Sequence, residues 1–539
     1  MYFLLKKERI YINFNRVDFI LLLLLVYNIF NYSLHFDHSL FDHEILLILS
    51  QFIIYVLLRI LLSALDVHEL KEVYYNLTKH IAVIFCISMG YGMLQIAGFA
   101  DSKNSYFKVT GQFLNPARYA MFCAMLFPYV ATYKENFKNL WRTVLLFTVG
   151  LIFADLIVVS TIQTVWISTI FILAILISEK WRSKGLANLY ILLISFLLIA
   201  VLIALVSFSD SAQGRVTIWK ICGYMIKDNL FFGIGLSNFK NLYSTYQADY
   251  FSNHNSNIKE ILLADSIRYP YNESLKVICE QGIIGFILVL IFLYFLIAHA
   301  VRLIKKSTIF SFNGANFLVL ITFAIIGMFS YPSDDISINL VLLFSICFLL
   351  ANCPTKKTNF TLTPKKIAVI MLFLFPFPIS AIKEVMDKES AYKVWKNGTA
   401  YYLEAEEIRP LYNLLKNDTR FVLWYVEILL NEKKYQDVIE IVENNIHIIR
   451  TPQLYIFLYK AYEALSLFKE AEQTLLTAVN IVPNRFEARY YLMTYYFNKR
   501  DFVSCKEQAN YILNMPVKIN TNNVTKIKEK ARQILIEVE

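Results

Sequence analysis

A series of long apolar segments constrains the fold of this chain more than any other feature of its sequence. A helix of about 20 residues crosses a hydrocarbon core of roughly 30 Å, because each residue advances it by about 1.5 Å. Eleven such segments lie at 17–34, 44–64, 81–99, 117–133, 143–160, 162–178, 187–208, 282–301, 315–331, 336–352 and 366–384. With 57% hydrophobic and 17% charged residues, the composition excludes a disordered chain and an ordinary soluble enzyme. The sequence therefore predicts an all-α polytopic membrane helical bundle over residues 1–384.

The distribution of lysine and arginine predicts the orientation of these spans. Twenty of these residues lie in or next to alternate short connections, among them Lys6, Arg59 and Lys356, whereas the opposite short connections hold only Lys103 and Lys108. Basic residues are retained on the cytoplasmic side of a membrane, so the N-terminus is predicted to be cytoplasmic and the region after residue 385 to lie outside. The same retention explains most of the net charge of +10, and we do not expect nucleic-acid binding.

The seven cysteines of the chain show no paired spacing. In zinc sites and disulfide frameworks, cysteines, or cysteines and histidines, occur at short and regular separations in the sequence. The sequence therefore predicts neither a metal site nor structural disulfides, and no cofactor is expected.

Residues 385–539 have a different pattern, with apolar residues at helical spacing among charged ones. A period is carried by three aromatic residues and by a smaller residue three positions after each. These are Tyr435 and Val438, Phe468 and Ala471, and Phe502 and Cys505. The unit around Phe468 resembles a tetratricopeptide repeat, and an unrelated helical bundle is the alternative. Either fold predicts a soluble helical domain that docks a partner protein rather than one that catalyses a reaction.

The connection 209–281, between the seventh and eighth spans, is predicted to lie on the outer face. Connections of this length are usually functional. It begins with Gly214-Arg215-Val216-Thr217-Ile218-Trp219 and ends with Arg268-Tyr269-Pro270-Tyr271-Asn272-Glu273-Ser274-Leu275. Two further runs are Glu280-Gln281-Gly282, where the eighth span begins, and Gly111-Gln112-Phe113-Leu114-Asn115-Pro116, before the fourth span. Together these runs resemble the O-antigen ligase family over about residues 80–350.

The resemblance implies a metal-independent, inverting glycosyltransferase of the bacterial inner membrane. Such enzymes move a glycan from undecaprenyl diphosphate to an acceptor hydroxyl, on lipid A core or on a protein, at the outer face. The domain 385–539 would then be periplasmic. Related polymerases use a second carrier-bound glycan as the acceptor, and this is the first alternative. A transporter of lipid-linked glycans is an alternative of another class.

Two arginines are the candidates for stabilising the leaving diphosphate. Negative charge grows on that group as the sugar departs, and the planar guanidinium holds phosphate oxygens in pairs without losing its charge. The resemblance assigns this role to Arg215, and by position to Arg268. Interfacial snorkelling is the alternative for Arg215. Lys103, Lys108 and Arg118 are candidates for a wider cationic rim that binds substrate, and for the two lysines a solvated surface is the stronger interpretation.

The acceptor hydroxyl needs a base or an orienting acceptor. Most relatives place a histidine before the Asn of the Asn-x-x-Leu run, whereas this chain has Tyr271 there. Tyrosine is a poor base unless cations lower its pKa, as Arg268 would do. Glu273 is a second candidate, and its alternative role is to stabilise the start of a helix. His254, in the same loop, is a third candidate.

Further polar and aromatic residues are predicted to bind substrate or to support the site. Asn115 and Asn272 are candidates for hydrogen bonds to the donor, and Trp219 either stacks on a sugar or anchors the interface. Asp155, inside the fifth predicted span, either binds the acceptor or pairs with Arg118. A departure from the family lies at Gln163, since relatives often have Ser-Arg in this part of the sixth span.

Overall fold

The structure is a computed structural model of the chain. It describes residues 10–12, 15–35, 43–104, 106–132, 163–180, 210–253, 257–307, 309–351, 360–363, 376–396, 404–416, 418–446, 449–518 and 521–538, with the single positions 366 and 369. These residues are helical apart from connections and one short ladder, in which β1 (Ile10–Ile12) pairs antiparallel with β2 (Phe360–Leu362). The predicted all-α class is confirmed.

The helices of the described residues follow in chain order. They are α1 (Arg16–His35), α2 (His43–Ser63), α3 (Val67–Ile96), α4 (Pro116–Thr132), α5 (Gln163–Lys180), α6 (Asp210–Asp228), α7 (Phe239–Asn253), α8 (Ile258–Leu263), α9 (Glu273–Lys305), α10 (Phe312–Gly327), α11 (Ile336–Ala351), α12 (Pro376–Lys396), α13 (Ala405–Leu415), α14 (Thr419–Asn431), α15 (Tyr435–Asn445), α16 (Pro452–Ala464), α17 (Phe468–Ile481), α18 (Phe486–Asn498), α19 (Phe502–Asn514) and α20 (Asn522–Val538). A 3-10 turn, Pro332–Asp334, lies between α10 and α11.

Four helices among the described residues are long and apolar enough to cross a membrane. They are Arg16–His35, Leu46–Ser63, His68–Ile96 and Glu273–Lys305. Shorter apolar helices, α10 and α11, match two further predicted spans. The predicted spans 143–160 and 187–208 lie outside the described residues, so the count of eleven and the orientation stay predictions.

Local capping explains where several helices begin. The predicted third span, 81–99, is the second half of α3, which starts earlier at a capping box in which Asp66 and Glu69 each accept from the other's backbone N–H. The side chain of Asn272 accepts from Leu275 N at 3.0 Å and starts α9. Inside α9, Gly282 takes φ of 66° and kinks the helix, a conformation that glycine adopts without steric cost.

Contacts divide the chain into two compact units, residues 1–209 with 270–378, and residues 210–269 with 379–539. The first unit holds a buried ion pair. Arg59 donates to both carboxylate oxygens of Asp18, at 2.9 and 3.0 Å, and Tyr55 donates to the same carboxylate. Arg59 is one of the basic residues that the sequence assigns to the cytoplasmic connections, but it lies within α2 and is only 4% exposed. A charged pair inside an apolar bundle satisfies both groups, so Arg59 carries no topology signal.

In the second unit, the tail 404–538 contains three helix pairs that follow one another. The pairs α14 with α15, α16 with α17, and α18 with α19 each turn through one residue with positive φ: Lys433, Ser466 and Arg500. The aromatic residues that carry the sequence period begin the second helix of each pair. Small residues such as Ala471 and Cys505 are fully buried in the core between helices. The helices and their period agree with the sequence pattern, and the tetratricopeptide assignment stays a prediction.

The loop segment 210–269 belongs to the same compact unit as this tail. Helix α7 packs against α17, and Ala248 lies in the core formed by tail residues such as Ile481 and Met493. Gln247 donates to Ile481 O, and Arg450 donates to Thr245 Oγ1. The loop is therefore folded against the tail.

Candidate functional site

Of the predicted site residues, one group lies in the first compact unit and one in the second, and each group is described by itself. In the first unit, the segment Tyr331–Asp335 between α10 and α11 contacts several of them. We name this segment and the residues that it contacts, Asn115, Arg118, Tyr271, Glu273 and Lys276, together with Asn272 between Tyr271 and Glu273, the turn cluster. Its members come from three stretches of sequence that are more than 50 residues apart.

Glu273 is held by Ser333. The backbone N–H of Ser333 donates to Glu273 Oε1 at 2.9 Å, and its hydroxyl donates to Oε2 at 2.7 Å. Lys276 Nζ, one turn further along α9, donates to the same hydroxyl oxygen at 3.1 Å. A carboxylate has about four lone-pair positions, so Glu273 keeps acceptor capacity beyond these two bonds. The carboxylate is thus both oriented and able to accept a further proton or hydrogen bond.

Tyr271 adopts a left-handed backbone conformation with φ of 54°. This region is costly for a bulky residue and persists only where the surroundings impose it. The ring of Tyr271 packs edge-on against Tyr331, with centroids 5.6 Å apart. The next residue, Asn272, donates to Met328 O at 3.0 Å while it caps α9. The backbone before α9 is therefore held on both sides by the end of α10 and the turn that follows.

Asn115 and Arg118 come to the turn cluster from the start of α4. Asn115 donates to the hydroxyl of Tyr331 at 3.3 Å and accepts from Ala117 N at 2.7 Å. Arg118 forms an ion pair with Asp334 at 2.6 Å and approaches Asp335 at 3.9 Å. Asp155, the partner suggested by the sequence, lies outside the described residues. Arg118 is therefore paired within the turn cluster, and its role in substrate binding stays a prediction.

In the run that precedes α4, the backbone of Gly111 lies close to the ring of Tyr119. Gly111 has φ of 55°, and a Cβ there would lie 2.2 Å from the ring of Tyr119. The side chain of Gln95 accepts from Gly111 N at 2.8 Å and from Thr110 N at 3.0 Å. Only glycine fits this position, so Gly111 has a structural role in holding the entry to α4.

Lys103 and Lys108 lie in the same connection, and both are exposed. No hydrogen bond or ion pair joins either lysine side chain to the turn cluster within the described residues. Their exposure agrees with a solvated surface, and their part in a cationic rim stays a prediction.

Arg215 and Trp219 lie one helical turn apart on α6, in the second unit, and both are half-buried. Helix α6 packs against α8, and Lys220 forms an ion pair with Glu260 at 2.6 Å. Burial acts to raise the pKa of Glu260, but hydrogen bonds from Lys220 and from Tyr250 outweigh it, and the pKa is lowered. This ionised contact fixes the helix that carries Arg215 against the segment that leads to Arg268.

Arg268 lies in the connection 264–272, which has no regular secondary structure. Its side chain is exposed, and no carboxylate of the described residues pairs with it. An exposed guanidinium without a carboxylate partner retains its full capacity for an anion. His254 lies outside the described residues, as does the side chain of Gln163.

Sequence reasoning missed the segment Tyr331–Asp335, which contributes Tyr331, Ser333 and two carboxylates. The signal was present, since a Tyr-Pro-Ser-Asp-Asp run between two apolar segments is polar for its position. Sequence reasoning also missed Lys276. Among the described residues, no group of three or more His, Cys, Asp or Glu side chains is arranged to hold a metal ion.

Fold and polar residues together define the chain as an all-helical membrane protein with a polar cluster at a turn between apolar helices. Residues 118–290 match the family model described as O-antigen ligase, which is the family that the sequence motifs resemble. The match contains Arg118, Arg215, Arg268 and the run from Tyr271 to Glu273. It supports a membrane glycosyltransferase activity of the ligase or polymerase type. No curated protein matches the chain.

Proposed function

We propose that this protein transfers a glycan from undecaprenyl diphosphate to the hydroxyl of a separate acceptor, lipid A core or a protein, at the periplasmic face of the inner membrane. One observation carries the proposal beyond the family match. Two of the sequence runs that resemble the family, one containing Asn115 and the other containing Tyr271 and Glu273, both contact the segment Tyr331–Asp335. Polar residues that converge from distant parts of a membrane bundle usually mark a substrate site.

In the proposed reaction, the acceptor oxygen attacks the anomeric carbon from the face opposite the diphosphate. The bond between that carbon and the phosphate oxygen breaks, and undecaprenyl diphosphate leaves with the bonding electrons. The proton of the acceptor passes to a base of the protein and then to water. The anomeric configuration is inverted, because a single displacement occurs.

Glu273 is the favoured base. Its two oxygens are oriented by Ser333 at 2.9 and 2.7 Å, which is the fixed geometry that proton transfer needs. Tyr271 is proposed to orient the acceptor, because its ring is held against Tyr331 in a conformation that the surroundings impose. Asn115 and Asn272 are proposed to bind sugar hydroxyls beside it.

Arg215 and Arg268 are proposed to neutralise the departing diphosphate. Positive groups placed where charge develops stabilise the transition state more than the ground state. No metal is required in this scheme, since two guanidinium groups supply the charge that a divalent cation would otherwise bring. The helical tail supports a separate acceptor over a second carrier-bound glycan, because repeat domains commonly hold a protein partner.

A deletion strain of the host tests the proposal. Its glycans are analysed separately on the lipid A core, on proteins and by polymer length. A ligase deletion leaves full-length polymer on the carrier and none on its acceptor. Loss of chain length with attachment retained would instead identify a polymerase, and accumulation of the lipid-linked glycan at the cytoplasmic face would identify a transporter.

A further inference from the structure

The segment that leads to Arg268 is held by the tail. Residues 264–270 follow the short helix α8 and have no regular secondary structure, so no helix or sheet ladder fixes their course. The amide nitrogen of Asn484, between α17 and α18, lies 3.1, 2.8 and 2.7 Å from the carbonyl oxygens of Ile261, Leu262 and Ala264. These are carbonyl groups at the end of a helix, which need donors from outside the helix.

Two further side chains hold the next residue, Asp265. Gln247 is 2% exposed, and its amide nitrogen donates to Asp265 O at 3.1 Å as well as to Ile481 O at the end of α17. Arg485 pairs with the carboxylate of Asp265 at 3.2 Å. We call Asn484, Arg485 and Gln247 the loop clamp. Its contacts with the segment that leads to Arg268 lie within residues 261–265.

We propose that the tail is a positioning element of the enzyme, and that Asn484 holds the segment 261–265 so that Arg268 meets the departing diphosphate. This inference rests on the proposed function of Arg268. The tail would then be required for catalysis even when no partner protein is bound. A displacement of about 1 Å in a catalytic group costs up to roughly 100-fold in rate, so loss of the loop clamp is expected to slow transfer without unfolding the protein.

The test uses the full-length protein in lipid nanodiscs and a detergent extract of membranes from a deletion strain, which holds the accumulated donor and the acceptor. The release of undecaprenyl diphosphate is measured at limiting and at saturating extract. Asn484→Ala is expected to lower the saturated rate by roughly 10- to 100-fold, with little change in the extract concentration that gives half the maximal rate. Asn498→Ala is the matched control, because Asn498 is exposed at the end of α18, and it is expected to retain full activity.

A double-variant experiment separates positioning from a general structural role. If Asn484 acts through Arg268, Asn484→Ala adds no further loss once Arg268→Ala is present. Amide hydrogen exchange at residues 264–268 is expected to become faster in Asn484→Ala, while exchange in α18 and α19 stays unchanged. Arg485→Gln is a milder variant at the exposed side of the loop clamp and is expected to lower the rate about 3-fold.

The possible failures are distinguishable. Full activity of Arg268→Ala would overturn the proposed role of Arg268 and, with it, the positioning role of Asn484. A slow Arg268→Ala protein beside a fully active Asn484→Ala protein would overturn the loop clamp alone. An Asn484→Ala loss that is equally large in the Arg268→Ala background would show that Asn484 only stabilises the fold.

Discussion

The turn cluster and the loop with its two arginines are held in different ways. In the turn cluster, Glu273 receives two hydrogen bonds from Ser333, and Arg118 is paired with Asp334 at 2.6 Å. Each of these charged groups has a partner within the turn cluster. In the loop, Arg268 is exposed, and side chains of the tail hold the segment that precedes it. This difference suits an oriented proton acceptor in the turn cluster and, at Arg268, an exposed cation that a lipid diphosphate can reach.

The largest effect is expected at Arg215. Arg215→Lys keeps the positive charge but loses the paired hydrogen bonds to phosphate, and we expect glycan transfer to fall by roughly 100- to 1,000-fold. The transfer of glycan to the cell surface is measured in a deletion strain that expresses each variant at equal level. Arg532→Lys, at an exposed position of α20, is the matched control and should restore the wild-type profile. An unchanged glycan profile for Arg215→Lys would contradict the role of Arg215 in binding the diphosphate, and with it the proposed difference between the loop and the turn cluster.

The next effect tests the turn cluster. Glu273→Gln preserves size and a carbonyl acceptor for Ser333 but removes the charge that accepts a proton, and a loss of about 100-fold is expected. Initial rates of transfer and the thermal unfolding temperature are measured together. Glu389→Gln, on an exposed face of α12, serves as the control. Normal transfer by Glu273→Gln would reduce Glu273 to a structural partner of Ser333.

A smaller effect is expected at Tyr271. Tyr271→Phe leaves the ring packed against Tyr331 and removes only the hydroxyl, so we expect a loss of roughly 10-fold, the worth of one well-placed hydrogen bond. The dependence of the rate on acceptor concentration distinguishes orientation of the acceptor from proton transfer. A loss as large as that of Glu273→Gln would instead make Tyr271 the base.

The smallest effect concerns the contact between α6 and α8. The pKa of Glu260 is lowered from its ordinary value of 4.5, so the ionised carboxylate stabilises the folded loop at pH values above 4.5. This contribution is lost as the pH falls through the folded-state pKa. Glu260→Gln should lower stability at neutral pH by less than about 1 kcal/mol, since Lys220 is 52% exposed. The change in local stability is measured by amide hydrogen exchange in residues 257–265 between pH 4 and pH 7. An acid-dependent loss of protection that persists in Glu260→Gln would assign the effect to another group.

The sequence allowed the helical class, the family and most of the candidate residues to be predicted, because apolar periodicity and short motifs are local properties. It did not allow their partners to be predicted. Ser333 lies 60 residues from Glu273, and Asn484 lies 220 residues from Ala264, so tertiary packing alone brings them together. Arg59 was misassigned for the same reason, since its partner Asp18 lies on another helix.

The most direct test of the account is a structure of the full-length protein in nanodiscs with undecaprenyl diphosphate bound. If the two arginines neutralise the departing diphosphate, its phosphate oxygens lie at hydrogen-bond distance, about 3 Å, from the guanidinium groups of both Arg215 and Arg268. A diphosphate bound away from both arginines would contradict it.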